Sequence, residues 1–281
     1  MSKKSKRPGN PLRPPPVLYK YRSLARDGKE REYTAKILTA NELYFASPGD
    51  WSAFPEDLKD KLDGRPEASY RARPSQKIRF HTDVLVSKGW RREVAHKAVT
   101  ELVHNDQAAL ARLEQEAAER VRTWVPANVR VLCFSEVKSN RKMWEKYADS
   151  HRGICIGFQT EGAPEYEKFF QNAYRVGYTD RKRPVNYYRE PTGEVNARRA
   201  FFEKGSEWAY EKEWRMVETR ARPVGTEIFP KGMISCVILG AAISSEDEAQ
   251  VRQWVARHPG PPAIQRVRFE PATGRLLICP G

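Results

Sequence analysis

The feature of this sequence that most constrains its fold is a series of short apolar segments that do not alternate regularly with helices. Two of them, 129–135 and 154–158, are apolar along most of their length, which is typical of buried strands. Strand patterns also occur at 17–22, 42–47, 173–178, 213–219, 236–240, 264–269 and 276–278. Many short strands with a few helices of unequal length are typical of α+β proteins. We therefore predict an α+β fold with a mixed, mostly antiparallel β core and peripheral helices.

Helical periodicity is confined to a few stretches of the chain. The clearest are two helices between about residues 82 and 125, each with apolar residues on one side and charges on the other. Shorter helices are predicted at 32–38, 143–148, 196–207 and 246–257, whereas the polar segment 55–81 predicts a long loop or insertion. Because no long linker divides the chain, we predict a single domain over 17–281 with a helical insertion at about 82–125.

The first 16 residues have a composition of their own. They include five basic residues, five prolines and no acidic residue, and they offer almost nothing to bury. Such a segment predicts a disordered basic arm, which serves either as a solubilising tail or as an anion-binding arm. The whole chain carries 50 Lys and Arg against 36 Asp and Glu, a formal net charge of +14. This charge permits an anionic partner without proving one.

Several classes of protein are disfavoured by what the sequence lacks. No apolar run reaches the length of a membrane span, and the basic N-terminus lacks the apolar region of a secretory signal. No dinucleotide-binding, P-loop or zinc-hydrolase motif is present, and the histidines are too dispersed to predict a metal site. The cysteines predict reduced core residues of a cytoplasmic protein, and they are Cys133, Cys155, Cys236 and Cys279.

Aromatic residues stand beside charged ones in several short segments. These are YKYRS at 19–23, ELYFASP at 42–48 with its continuation to Trp51, CFSE at 133–136 with MWEKYADSHRGICIGF at 143–158, and the segment from Lys204 to Arg215, which ends in YEKEWR at 210–215. Flat rings next to charges suit a ligand that has a planar ring and phosphate groups. We therefore look for a binding site among these segments.

The order of these motifs, followed by a VILG strand at 237–240, resembles the DUF2971 family of bacterial and phage proteins over about residues 17–245. That family is in turn similar to the ADP-ribosyltransferase superfamily. The resemblance implies split β-sheets and an enzyme that consumes NAD as a substrate, without a metal. It implies transfer of ADP-ribose to a macromolecular acceptor, such as a nucleic acid or a protein, by a toxin or phage-conflict effector.

The resemblance also implies roles for particular residues. The basic residue of the superfamily's first strand falls on Arg22, the hydroxyl residue of the second on Ser47 or Tyr44, and the catalytic glutamate on Glu213 or Glu211. Rings that stack on NAD are expected among Tyr19, Tyr21, Tyr44, Trp51, Trp208 and Tyr210. In that family a stretch with an acidic residue follows the Ser-Pro turn, which falls here on Ser47 and Pro48. The corresponding stretch is altered in this chain, so its acidic residue is missing or shifted to Glu56 or Asp57.

The implied chemistry suits these residue types. Breaking the nicotinamide–ribose bond builds positive charge on the ribose, as in glycoside cleavage, and a carboxylate held against the ribose stabilises that charge. An arginine binds phosphate or ribose through two donors at once. A structural interpretation is equally open, because Glu213 and Arg215 share one face of a strand and an ion pair there needs no substrate. Likewise Trp144 and Tyr147 suit core packing, and the turn at His151 suits exposure.

A non-catalytic protein that binds nucleic acid or a protein partner is the alternative. Basic residues are interleaved with tyrosines after residue 180, and such a pattern is typical of grooves that bind nucleic acid without sequence preference. The predicted contacts are Arg181, Lys182, Arg183, Arg189, Arg198 and Arg199. Charge runs of this kind also occur in solvated loops, so both interpretations remain open at the level of sequence.

Overall fold

The computed structural model describes residues 13–25, 29–47, 57–58, 72–180, 188, 201–219, 225–270 and 272–281. Its strands are β1 Val17–Arg22, β2 Glu42–Tyr44, β3 Arg130–Ser135, β4 Ile154–Gln159, β5 Ala173–Arg175, β6 Gly177–Thr179, β7 Glu203–Gly205, β8 Glu213–Glu218, β9 Thr226–Ile228, β10 Ile234–Leu239, β11 Ala263–Phe269 and β12 Leu276–Pro280. Its α-helices are α1 Glu30–Ala40, α2 Pro74–Ser87, α3 Arg92–Asn105, α4 Gln107–Asn128, α5 Arg141–Tyr147, α6 Pro164–Phe169 and α7 Ser245–Ala256. A 3₁₀ helix spans Ser206–Glu211.

Eight strands form one mixed sheet in the order β12-β11-β10-β4-β1-β3-β8-β5. Neighbouring strands are antiparallel except for the parallel pair β10–β11. Two further pairs, β2–β9 and β6–β7, lie outside this sheet, so the β structure comprises one large sheet and two small ones. The predicted α+β class with a mostly antiparallel core is confirmed.

The two faces of the large sheet are covered by different elements. On one face, Leu18 and Phe158 belong to a core that includes Ile37 of α1 and Val251 of α7. On the other face, a second core around Trp144 of α5 packs near the 3₁₀ helix. Because side chains alternate along a strand, each strand residue can be assigned to one of these two faces.

Several details differ from the sequence-based expectations. Residues 13–16, the end of the predicted disordered arm, are held in place, because Thr160 donates to the Pro15 carbonyl at 2.6 Å and to the Pro16 carbonyl at 3.0 Å. Helix α2 begins at Pro74, inside the segment predicted as loop, because proline suits the first turn and the Gln76 side chain accepts a hydrogen bond from the Arg73 amide at 2.9 Å. The helical region therefore contains three helices, α2 to α4. Residues 203–205 form strand β7 instead of the end of a helix, because they pair with β6. His151 is buried, since its ring stacks on Trp144 with centroids 6.0 Å apart.

The four cysteines are all free, with Cys155 and Cys236 buried and Cys133 and Cys279 half-buried. Cys155 and Cys236 are therefore core residues as predicted, whereas Cys133 and Cys279 are only partly covered. Within the described part of the chain, no helix is both long enough and apolar enough to cross a membrane.

Candidate functional site

Strand β8 brings two charged side chains to one face of the large sheet. In its pairing with β3, Glu213 lies opposite Ser135 and Arg215 lies opposite Cys133. The two charged residues are two positions apart, so their side chains point to the same face, next to the 3₁₀ helix. Lys212 ends that helix in the left-handed conformation, with φ of 42°. The hydroxyl of Ser135 donates to the Glu211 carbonyl at 2.6 Å, which fixes this turn against β3.

Five charged side chains meet on this face and form what we call the charge cluster: Asp57, Lys204, Glu211, Glu213 and Arg215. The Lys204 ammonium lies 2.6 Å from Glu211 Oε2, 3.2 Å from Glu213 Oε2 and 3.6 Å from Asp57 Oδ1. Their side chains are at most 10% exposed. Ion pairs at this depth are stable only when nearly every polar atom has a partner.

Arg215 satisfies its guanidinium entirely within the protein. Its Nε and one terminal nitrogen donate to the two oxygens of Glu213 at 2.7 and 2.9 Å. The terminal nitrogens also donate to the two Asp57 oxygens at 2.6 and 3.1 Å, and one of them donates to the Phe201 carbonyl at 2.8 Å. The planar guanidinium binds two carboxylates at once with this geometry, which the ammonium group of a lysine does not reproduce.

The pKa values of the two glutamates in the charge cluster are shifted in opposite directions. Burial raises the pKa of Glu213, but Arg215 and Lys204 outweigh burial and bring it down to about 2. Burial raises the pKa of Glu211 above its ordinary value, and the neighbouring charge of Lys204 only partly offsets this. The cluster contains three carboxylates and two cations, so one carboxylate lacks a full countercharge. Glu211 is paired only with the Lys204 ammonium, which it shares with Glu213 and Asp57, whereas Arg215 bonds the other two carboxylates.

Two tyrosine hydroxyls complete the site. Tyr147 of α5 donates to Glu211 Oε1 at 2.7 Å, and the Glu213 amide donates to the Tyr178 hydroxyl at 2.8 Å. Burial raises the pKa of both phenols, so both remain protonated at neutral pH. Tyr147 therefore serves as a neutral donor to the carboxylate of Glu211.

Half-exposed aromatic rings lie beside Glu211 in the 3₁₀ helix. The Lys204 ammonium lies over the Trp208 ring, 4.8 Å from its centroid. The ring of Tyr210 is 6.1 Å from that of Trp208. These two predicted ring-binding residues are thus next to the charge cluster.

Arg22 is not brought to the charge cluster. Tyr19 lies opposite Ser135, which lies opposite Glu213, so Tyr19 and Glu213 share one face. Arg22 is three positions further along β1, and its side chain points to the other face. There its guanidinium donates to the Thr34 hydroxyl at 3.0 Å and to the Glu30 carbonyl at 3.1 Å. Arg22 therefore joins β1 to α1.

The remaining aromatic candidates lie apart from Glu211. Tyr21 donates to the Val137 carbonyl at 2.8 Å, and Tyr44 stacks on Tyr33 with centroids 4.4 Å apart. Ser47 directly follows Ala46, which forms a bridge with Val131 of β3. Val131 is four residues along β3 from Ser135, the residue opposite Glu213. That offset is about 13 Å at the rise of a strand.

Other predicted site residues lie outside the described residues. They are Trp51, Glu56 and the basic set Arg181, Lys182, Arg183, Arg189, Arg198 and Arg199. Within the described ranges, no group of three or more metal-ligating side chains is arranged to hold a metal ion. The carboxylates of the charge cluster are instead bound to Lys204 and Arg215.

Sequence reasoning missed two members of the site and gave others a different role. Lys204 and Tyr178 were not predicted as site residues, and Tyr147 was assigned to the core. Asp57 was one of two alternatives for the shifted acid, and it contacts Arg215. The available signal is the alternation in YEKEWR: Glu211, Glu213 and Arg215 share one side of a strand pattern, and two buried acids beside one arginine require a second cation nearby.

Comparison with known proteins finds similarity to one family over part of the chain. No curated protein and no solved structure matches the chain. The model of DUF2971, described as a protein of unknown function, matches residues 143–216. This segment contains Tyr147, Lys204, Glu211, Glu213 and Arg215, whereas Asp57 lies before it. Over the part of the chain that builds most of the charge cluster, the protein is therefore similar to the DUF2971 family.

Proposed function

We propose that this chain is an enzyme that cleaves the nicotinamide–ribose bond of NAD and transfers ADP-ribose to a macromolecular acceptor, with Glu211 as its working carboxylate. The observation that carries the proposal is the separation of the two glutamates. Glu213 is bound to Arg215 and has its pKa lowered to about 2, whereas Glu211 has its pKa raised by burial. Adjacent carboxylates with pKa values shifted in opposite directions are typical of acid–base and electrostatic catalysis.

The bond changes of the reaction are simple to assign. The bond between ribose C1′ and the nicotinamide nitrogen breaks, and its electron pair remains on the nitrogen, which leaves as neutral nicotinamide. A nucleophilic atom of the acceptor bonds to C1′ and loses its proton to a base. The ionised carboxylate of Glu211 stabilises the positive charge that builds on the ribose. Tyr147 holds that carboxylate through its hydroxyl.

The aromatic side chains beside Glu211 supply the binding surface in this proposal. Tyr210 is half-exposed, and a nicotinamide or adenine ring stacks on such a ring, whereas the neighbouring Trp208 ring has the Lys146 and Lys204 ammonium groups over it. The Glu211 side chain is only 4% exposed, so a substrate reaches it when the 3₁₀ helix or Tyr147 moves aside. Movement of a covering segment on substrate binding is common in enzymes that exclude water from the reaction.

The test is release of nicotinamide from NAD by the purified protein, with the variant Glu211→Gln. We expect release by the natural protein and a loss of at least about 100-fold in the variant, the usual effect of removing one electrostatic group from such a site. Glu207→Gln is the matched control, because Glu207 lies in the same 3₁₀ helix with an exposed side chain. It should release nicotinamide at the natural rate.

The pH profile gives a second readout. Because Glu211 must be ionised, the rate should rise with pH through a pKa above that of an ordinary glutamate. The proposal fails if the natural protein releases no nicotinamide and shows no increase in melting temperature with millimolar NAD. Full activity of Glu211→Gln would also overturn the assignment of Glu211.

A further inference from the structure

Three lysines near helix α5 each lie over an aromatic ring. Lys138 Nζ is 5.7 Å from the centroid of Tyr19, and Lys142 Nζ is 5.2 Å from that of Tyr210. Lys146 Nζ is 3.7 Å from the centroid of Trp208. We call these three lysines and three rings the lysine–aromatic face.

The lysines follow a regular spacing along the chain. They are four positions apart, and Lys142 and Lys146 lie one helical turn apart on α5, about 6 Å along its axis. Both are exposed, and Lys138 is half-exposed. The three ammonium groups therefore lie along one side of α5 and the segment that leads into it.

The net charge of this face is positive. Residues 138–147 contain four basic side chains and one acidic side chain, and the acid, Glu145, is paired with Arg141 at 2.8 Å. In the facing 3₁₀ helix, Glu211 is buried in the charge cluster and Glu207 is exposed. An anionic partner is therefore favoured over a cationic or neutral one.

The rings distinguish among anionic partners. Each of the three rings is half-exposed, and the Tyr210 and Trp208 rings are 6.1 Å apart. Alternating cations and accessible rings bind single-stranded nucleic acid, because lysines contact the phosphates while bases stack on the aromatic faces. An acidic polypeptide has no aromatic ring at each residue and uses only the charge. Bases in a duplex are already stacked on each other and present no free face.

We infer that the lysine–aromatic face is a binding site for single-stranded nucleic acid. The inference goes beyond the proposed function, since it concerns binding alone and holds whether or not the chain cleaves NAD. The Trp208 and Tyr210 rings also belong to the proposed NAD surface, so binding is measured without NAD. It also differs from the basic cluster predicted after residue 180, because it uses another segment of the chain.

The experiment measures binding of a fluorescent 20-nucleotide oligothymidylate to the full chain by anisotropy, at several salt concentrations and without NAD. The test variant combines Lys138→Ala, Lys142→Ala and Lys146→Ala. Its matched control combines Lys88→Ala, Lys97→Ala and Lys231→Ala, which removes three exposed lysines elsewhere. Each lost phosphate contact reduces the slope of log K against log salt by about 0.7 for single strands. We expect the slope to decrease by about 2 in the test variant and to stay unchanged in the control.

A second pair of variants tests the stacking. Tyr210→Leu keeps every charge and should lower affinity by about 5- to 150-fold, the usual effect of removing one stacking ring. Tyr166→Leu is the control, because Tyr166 is also half-exposed but packs against the core on the opposite face of the sheet. Its affinity should equal that of the natural protein. Urea unfolding of all four variants shows whether each retains its fold.

Three results would overturn the inference. The first is a test variant with the same affinity and salt slope as its control. The second is an unchanged affinity in Tyr210→Leu. The third is displacement of the oligonucleotide by polyglutamate at equal charge concentration, which would assign the face to an acidic polypeptide instead.

Discussion

Replacing Arg215 by methionine is expected to lower the free energy of unfolding by about 3–5 kcal/mol. The side chain is fully buried and makes five hydrogen bonds, to Glu213, Asp57 and the Phe201 carbonyl. Methionine fills a similar volume but leaves three carboxylates to share the single cation Lys204. Breaking a buried pair by removing one partner costs about this amount, because the remaining charge stays in a poorly solvating environment.

The pKa of Glu213 leads to a similar magnitude. Its ordinary value of 4.5 is lowered to about 2, chiefly by Arg215 after burial has acted in the opposite direction. Each pH unit of difference between folded and unfolded chains corresponds to about 1.4 kcal/mol, so Glu213 contributes about 3 kcal/mol. Because the folded pKa is the lower one, this contribution is present above about pH 4.5 and is lost as the pH falls toward 2.

Urea unfolding at pH 7 and at pH 3 measures both effects. We expect Arg215→Met to lose stability at pH 7 and to lose much of the pH dependence contributed by Glu213. Arg252→Met is the control, because Arg252 also bonds a glutamate through two nitrogens but is 43% exposed. An exposed pair contributes about 1 kcal/mol or less. A loss below about 1 kcal/mol in Arg215→Met would refute the view that Arg215 stabilises the buried carboxylates of Glu213 and Asp57.

Three other substitutions test other parts of the structure by urea unfolding. Glu211→Gln should change the free energy of unfolding by less than about 1 kcal/mol, because the remaining two cations and two carboxylates are balanced; a loss like that of Arg215→Met would contradict this. Gly153→Ala should lower the free energy of unfolding by about 1–3 kcal/mol or more, because its new Cβ would lie 2.1 Å from the Arg22 carbonyl oxygen. Gly177→Ala is the control and should cost less, because its new Cβ would lie 3.7 Å from the Phe202 carbonyl oxygen. Arg22→Met and Thr34→Val should each cost about 1–2 kcal/mol and be less than additive together, because they share one hydrogen bond.

Much of the sheet follows from local patterns. Strands β3, β4, β8 and β11 lie within one residue of their predicted limits, because their apolar runs are bounded by turn residues or charges. The pairing of Glu213 and Arg215 was one of two predicted interpretations, and it follows from side-chain alternation alone. These features depend on residues close in the chain.

The composition of the site depends on contacts that local patterns do not contain. Asp57 reaches Arg215 across 158 positions, from a segment without periodicity. Lys204 is directed inward because β7 pairs with β6, and neither three-residue strand has a distinctive pattern. The face occupied by Arg22 depends on the register of β1 against β3, which places Tyr19 opposite Ser135. One residue of slip would have put Arg22 on the side of the charge cluster.

The number of charges in the cluster favours a role beyond stability. Buried ion pairs often stabilise a protein no more than apolar residues of the same volume do. Arg215, Glu213 and Asp57 satisfy one another's hydrogen bonds but carry one excess negative charge, which the pair Lys204–Glu211 does not remove. Lys204 and Glu211 add a second cation and a third carboxylate, and the added carboxylate has a raised pKa beside half-exposed rings. Retaining an incompletely neutralised acid at that position costs stability, and a substrate that develops positive charge there is the physical reason we propose for it.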